Sequence, residues 1–115
     1  MNNDIDYPVA PAFGESNARY DQRRLKVKSL IFKENELRHN MGIAKIEIEM
    51  LSETIDALER LFDFLQEVGG SLTNEGHCLH ACDALKERRL YLNGQCAKAQ
   101  QAIERIMAQK KSLGA

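Results

Sequence analysis

The sequence predicts an all-α protein that folds as a long antiparallel helical hairpin. Two apolar seams indicate this fold, since alternating steps of three and four residues keep one stripe of a helix facing a partner helix. The first seam consists of Leu37, Met41, Ala44, Ile48, Leu51, Ile55, Leu58, Phe62 and Leu65. The second consists of Cys82, Leu85, Arg89, Leu92, Cys96, Ala99, Ile103 and Ile106. A short Gly-rich segment separates the two seams, so the two helices are predicted to pair with each other as a coiled coil.

The distribution of charge favours the same pairing. Residues 40–68 hold two basic and seven acidic residues, whereas residues 77–115 hold seven basic and three acidic residues. Opposite charges on the flanks of facing helices select the partner and its orientation. Counted outward from a turn centred near residue 72, Arg89 lies opposite Ile55 and Asp56. This cation of the seam is therefore predicted to have an acid nearby, because a buried charge without a partner is costly.

Residues 1–16 are predicted to form an extended or disordered N-terminal segment. Pro8 and Pro11 block a regular helix and favour an extended backbone. Chain termini are also commonly loose. The alternative is a docking strip whose Tyr7 and Phe13 enter pockets on a partner or on the protein's own helices.

Residues 17–115 are predicted to form one helical domain. Its elements are a helix over residues 17–68, a Gly-rich turn over residues 69–76 and a second helix over residues 77–112. Ser16 or Asn17 can cap the first helix, and Gly69 can close it in the left-handed conformation. Gly42 lies inside the first helix, where one glycine costs only about 1 kcal/mol. The seam passes Gly42 in phase, so we expect the helix to be continuous or gently bent there.

The start of the first helix is predicted to extend beyond the hairpin. The second helix reaches back only to about residue 33 of the first, so nothing from the same chain is expected to cover residues 17–33. A lone two-helix hairpin buries one stripe per helix and is marginally stable. We therefore expect a homodimer, in which two hairpins form a four-helix assembly with these arms engaged between the copies.

This basic amphipathic arm, together with two aromatic residues before it, is the predicted binding surface. The candidate partner-binding residues are Tyr7, Phe13, Tyr20, Arg23, Arg24, Lys26, Lys28, Leu30, Ile31 and Phe32. Exposed apolar surface of this extent indicates an interface. The expected function is a non-catalytic protein–protein interaction module: an adaptor, a chaperone-like binder, or an inhibitor or regulator of another protein. It would act through its coiled-coil faces and the arm. The alternative is a nucleic-acid-associated regulator that binds phosphates through the basic arm.

Four potential metal ligands lie close together at the start of the second helix: His77, Cys78, His80 and Cys82. On a helix the two cysteines share one face and the two histidines a neighbouring one. They therefore do not converge as a tetrahedral zinc site requires. We interpret Cys82, like Cys96, as a small seam residue and the histidines as exposed polar residues, and predict neither a metal nor a cofactor.

The sequence also argues against several classes of protein. It has no phosphate-binding Gly-rich loop, Gly-x-Ser-x-Gly elbow or His-Glu-x-x-His motif, so it is predicted not to be an enzyme. Its 16 basic and 17 acidic residues favour neither nucleic acid nor an anionic membrane. The N-terminus lacks the pattern of a signal peptide, no apolar run is long enough for a bilayer, and the odd number of cysteines favours reduced thiols. We therefore expect a soluble cytoplasmic protein without a membrane partner.

Overall fold

A computed structural model describes residues 9–70 and 72–115, except for the side chains of residues 72 and 73. Two long helices, α1 (Asn17–Glu67) and α2 (Leu72–Ser112), pack as a hairpin. The described residues contain no β-strand. The predicted all-α hairpin is therefore confirmed. Tyr7 and the other residues before Val9 lie outside the described part of the chain.

Helix α1 begins and ends at the predicted local signals. The hydroxyl of Ser16 accepts a hydrogen bond at 3.2 Å from the backbone N–H three residues later, as an N-cap does. At the other end, Gly69 has a φ of 70°. The N–H of Gly69 donates to the carbonyl of Gln66, and the N–H of Gly70 donates to the carbonyl of Leu65 at 2.7 Å. This is a Schellman motif, which satisfies carbonyls that the end of a helix leaves unpaired.

Helix α2 begins earlier than the sequence predicted. It starts at Leu72, five residues before the predicted start at residue 77, and ends at Ser112 as expected. The turn is therefore shorter than the predicted span of residues 69–76. Gly76 lies within the helix, where a glycine costs about 1 kcal/mol and does not by itself end a helix. Glu75 in the first turn compensates in part, because an acid there interacts favourably with the helix dipole.

The chain divides into two compact units. Unit 1 consists of the described residues up to Asn40 together with Lys98–Ala115. Unit 2 consists of the described residues of Met41–Ala97. In each unit a segment of α1 packs against a segment of α2, and every residue of the two predicted seams is buried or half-buried.

The core of unit 2 lies along the two seams. Ile55 is 1% exposed, and Cys78, Cys82 and Leu92 are also buried. The thiol of Cys82 lies 4.0 Å from the carbonyl oxygen of Ile55. On the flank of the same interface, Arg88 pairs with Glu47 at 2.8 Å. The hydrogen bond from Arg88 lowers the pKa of the Glu47 carboxyl.

Arg89, the charged residue of the second seam, has a partner other than the predicted acid. Its guanidinium donates a hydrogen bond to the hydroxyl of Ser52 at 3.1 Å. Ser52 lies one helical turn before Asp56 and is half-buried, as is Arg89. Within the described residues Arg89 forms no ion pair. Partial exposure explains why a hydroxyl suffices, since water solvates the rest of the cation.

The core of unit 1 extends the first seam toward the start of α1. Val27 and Ile103 are both 0% exposed, and Leu30 is 7% exposed. Glu34 occupies the next seam position, where its carboxylate pairs with Lys110 at 2.5 Å and with Arg38 at 2.8 Å. The hydrogen bonds from Lys110 and Arg38 lower the pKa of Glu34. The periodicity of the seam predicts an apolar residue at this position. The chain instead has a carboxylate there, which pairs with two cationic side chains.

The expectation that nothing from the same chain covers residues 17–33 is wrong. Val27 and Leu30 are buried within unit 1, and Val9 in the N-terminal segment is buried there as well, at 8% exposure. The described part of that segment contacts α1 through the backbone carbonyls of Val9 and Ala10. The N-terminal segment and the residue after α2 therefore both contact the start of α1, at Tyr20 and Arg23.

Candidate protein-binding surface

Arg23 joins both ends of the described chain to α1 within unit 1. Its Nε and Nη2 donate to the two carboxylate oxygens of Glu15 at 3.0 and 2.9 Å. Its Nη1 donates to the carbonyl of Leu113, and its Nη2 donates to the carbonyl of Ala10, each at 2.6 Å. One side chain therefore holds a segment before α1 and the end of α2 in place. A charged side chain that bonds two backbone carbonyls and a carboxylate acts as part of the fold.

The electrostatics of this network are favourable. The hydrogen bond from Arg23, followed by one from the backbone N–H of Ala12, lowers the pKa of Glu15 to about 2. The hydrogen bond to Glu15 raises the pKa of Arg23. Leu113 directly follows the C-terminal end of α2, where a helix carries partial negative charge that favours a cation. A carboxylate, a guanidinium and a helix end thus stabilise one another.

Gly114 makes room for this network. Its φ is 86°, a conformation that residues with a side chain rarely adopt. A Cβ built at Gly114 would lie 2.8 Å from Nη1 of Arg23. The same glycine closes α2, since the N–H of Ala115 donates to the carbonyl of Lys110 at 2.9 Å in a second Schellman motif.

Several residues predicted to bind a partner make contacts within unit 1 or are buried there. The hydroxyl of Tyr20 donates to the carbonyl of Val9 at 3.1 Å. Leu30 is buried and Ile31 is half-buried. Tyr20, Leu30 and Arg23 therefore contribute to the fold of unit 1.

Other candidates of the same group remain on the surface. Phe13 is fully exposed, and Lys26 and Lys28 are exposed. Phe32 is 71% exposed. Arg24 is half-buried and lies 3.8 Å from the carboxylate of Asp21. The structure therefore separates the ten candidates into a packed group and an exposed group, apart from Tyr7.

The four potential metal ligands lie on different faces, as helical geometry dictates. Cys78 and Cys82 are buried in unit 2, whereas His77 and His80 are exposed. In the part of the chain that the structure describes, no group of three or more His, Cys, Asp and Glu side chains is placed to hold a metal ion. The two thiols instead border a groove of about 300 Å³ beside Phe62 and Leu79.

Unit 2 exposes an apolar stripe along α1 that the sequence analysis did not identify. Its members are Ile43, Ile46, Met50, Leu61, Phe64 and Val68, each between 45% and 63% exposed. Four of them stand two positions after a seam residue, at positions 43, 46, 50 and 64. The stripe therefore repeats the spacing of the seam and could have been found by searching for a second apolar periodicity.

The stripe consists of two patches on α1. We call Ile43, Ile46 and Met50 the middle patch, and Leu61, Phe64 and Val68 the turn patch. Each patch has the spacing i, i+3, i+7, which puts its three side chains next to one another on one side of the helix. Glu53 and Arg60 interrupt the stripe between the patches.

No described helix combines the length and apolar character that a membrane span needs. Comparison with protein families, characterised proteins and solved structures found no significant match. The geometry of the chain's own residues is therefore what indicates its function.

Proposed function

We propose that the protein is a non-catalytic protein–protein interaction module, an adaptor or regulator that binds another protein through the turn patch. The observation that supports this proposal is the exposure of Leu61, Phe64 and Val68 at 45%, 56% and 59% on one side of α1. A single exposed apolar residue is ordinary, whereas a continuous group marks a binding surface on many proteins. An aromatic residue at the centre of the group provides the large contact area typical of binding hot spots.

The charges around the turn patch indicate the chemistry of the partner. Asp63 and Glu67 are exposed next to the patch, and Arg60 is the sole base among residues 56–68. An amphipathic helix with apolar anchors and basic flanks would cover the three apolar side chains and match these acids. We therefore propose a basic amphipathic helix as the element of the partner that binds here.

The three carboxyl groups whose pKa values are shifted all belong to ion pairs within the fold. The pKa values of Glu15, Glu34 and Glu47 are all lowered, in each case chiefly by a hydrogen bond from an Arg or Lys side chain. A general acid or base needs a pKa near the working pH, which means a raised pKa for a carboxyl. These three carboxylates instead stabilise contacts within the fold.

Affinity capture with the full chain tests the proposal. The tagged protein is mixed with a lysate of its own organism, with and without nuclease treatment, and bound proteins are identified by mass spectrometry. Phe64→Asp places a charge in the turn patch and should weaken partner binding by about 100-fold. Leu90→Asp is the matched control, because Leu90 is 73% exposed on α2 of the same unit and lies outside the patch.

Both variants should keep the circular dichroism and melting temperature of the parent, since each changes an exposed side chain. A protein captured by the parent and by Leu90→Asp, but lost with Phe64→Asp, would support the proposal. Equal capture by both variants would contradict it, as would capture that depends on nucleic acid. The second outcome would favour the nucleic-acid-associated alternative.

A further inference from the structure

A groove lies between α1 and α2 within unit 1, and we call it the unit 1 groove. It has a volume of about 470 Å³, and every residue that lines it belongs to unit 1. Leu30, Leu37 and Ile106 form its apolar floor, since Leu30 and Ile106 are buried and Leu37 is half-buried. Ala102 lines the groove from α2, where its small side chain leaves space beside the floor. The groove can therefore take apolar side chains of a ligand.

Two rows of exposed basic residues flank the unit 1 groove. On α1, Lys33 lines the groove and Lys26 stands seven residues earlier. On α2, Arg105 lines the groove and Lys98 stands seven residues earlier. Seven residues make nearly two helical turns, so the two members of each row lie on one side of their helix. All four side chains are exposed, and none forms an ion pair with another described residue.

We propose that the unit 1 groove binds an acidic amphipathic helix of a second protein, which packs against α1 and α2 as a third helix. Apolar residues of that helix, spaced by three and four, would pack on the floor of the groove. The positions that flank such a seam recur every seven residues, which is the spacing of the basic rows. Glutamates on one flank would pair with Lys26 and Lys33. Glutamates on the other flank would pair with Lys98 and Arg105.

The net charge of unit 1 supports an acidic partner. Its described residues include 11 basic and five acidic residues, whereas those of unit 2 include five basic and ten acidic residues. A surface with an excess of one charge attracts partners of the opposite charge and speeds their association. The turn patch of unit 2 has acidic neighbours and takes a basic helix in the function proposed above. The unit 1 groove is a separate site, and together the two sites suit an adaptor that joins two different proteins.

The residues that line the unit 1 groove favour a helix over nucleic acid. Proteins that bind nucleic acid through its phosphates do so with cations, and an apolar floor contributes nothing to that contact. Glu36 also lines the groove and is exposed. Its carboxylate would repel a phosphate, whereas a helix can place a neutral or basic side chain opposite it.

Fluorescence anisotropy with the full chain and two labelled helical peptides tests the proposal. Both peptides consist of three heptads with leucine at the seam positions, and the flanking positions hold glutamate in one peptide and lysine in the other. The glutamate peptide should bind at least about tenfold more tightly than the lysine peptide. Combining Lys33→Glu with Arg105→Glu should weaken binding of the glutamate peptide by about 30-fold, because two favourable charge pairs become unfavourable.

Combining Lys45→Glu with Arg60→Glu gives the matched control. Both residues are exposed on α1 in unit 2, and neither forms an ion pair with another described residue. This control changes the net charge of the chain by the same amount, yet at physiological salt it should alter binding of the glutamate peptide by less than about twofold. Phe64→Asp should also leave that binding unchanged, which separates the unit 1 groove from the turn patch.

Two further changes test the groove and its flanks separately. Ala102→Gln keeps the charge of the chain but puts a longer polar side chain into the groove, and it should weaken binding of the glutamate peptide by about tenfold. Combining Lys26→Glu with Lys98→Glu leaves the lining of the groove unchanged and should weaken binding several-fold through the flanks alone. Circular dichroism of each variant checks that the helices are retained.

Four results would overturn the proposal. The first is equal affinity for the glutamate and lysine peptides. The second is unchanged binding after charge reversal at Lys33 and Arg105, or at Lys26 and Lys98, in a variant that keeps its helices. The third is duplex DNA that binds more tightly than the glutamate peptide and is lost on reversal at Lys33 and Arg105. The fourth is a parent chain that sediments as an oligomer and dissociates on that same reversal, because a second copy would then fill the groove.

Discussion

Replacing Val27 with alanine tests whether the start of α1 is buried within unit 1. Val27 is 0% exposed, whereas Leu25, two residues earlier on the same helix, is 58% exposed. Leu25→Ala is therefore a matched control. It removes more carbon atoms than Val27→Ala does, but those atoms are largely exposed to solvent in the folded chain. If the arm projected into solvent, the two substitutions would have similar and small effects on stability.

The structure predicts about 2 kcal/mol of destabilisation for Val27→Ala. The substitution removes two buried methyl groups, each with a transfer free energy of about 0.8 kcal/mol. The cavity that remains adds about 1 kcal/mol. Alanine regains roughly 0.5 kcal/mol because valine is the poorer helix former. The net loss corresponds to a fall in Tm of about 8 °C for a domain of this size.

Thermal and urea unfolding followed by far-UV circular dichroism measure both variants. Leu25→Ala should change the free energy of unfolding by less than about 0.5 kcal/mol. Equal losses for the two variants would refute the burial of Val27 within unit 1.

Two further predictions concern the network around Arg23. Folding lowers the pKa of Glu15 from 4.5 to about 2. The Glu15 carboxylate therefore stabilises the fold fully above pH 4.5, and this contribution is lost as the pH falls from 4.5 toward 2. Between neutral pH and about pH 2, the Tm of Glu15→Gln should therefore fall less than that of the parent; parallel curves would contradict this. Gly69→Ala and Gly114→Ala should each cost about 1 kcal/mol because both glycines have positive φ. Gly114→Ala should lower the Tm more than Gly69→Ala does. The new Cβ would lie 2.8 Å from Arg23 at position 114, whereas no atom lies within 4 Å of a Cβ at position 69. Equal Tm values for the two variants would show that Arg23 does not lie against Gly114.

The sequence alone determined the helical class, the pairing of the seams and the ends of α1. These features depend on interactions between residues close together in the chain, such as the Ser16 cap and the glycine at position 69. The seams were predictable because regular spacing places their residues on one side of a helix whatever the rest of the fold does. The start of α2 was missed, since glycine lowers helix stability without preventing a helix.

Tertiary structure decided which apolar residues are buried and which are available for binding. Helix α1 carries two stripes of similar spacing, and only packing against α2 shows that Ile55 is buried while Ile46 and Phe64 are exposed. In the same way, the sequence of a basic arm does not reveal that the guanidinium of Arg23 bonds to Leu113, ninety positions further along the chain. Periodicity records the direction of a side chain relative to its own helix, whereas burial depends on what the rest of the chain places against that side. Residues distant in sequence supply that covering, and so the candidate binding surface could be located only once the chain was folded.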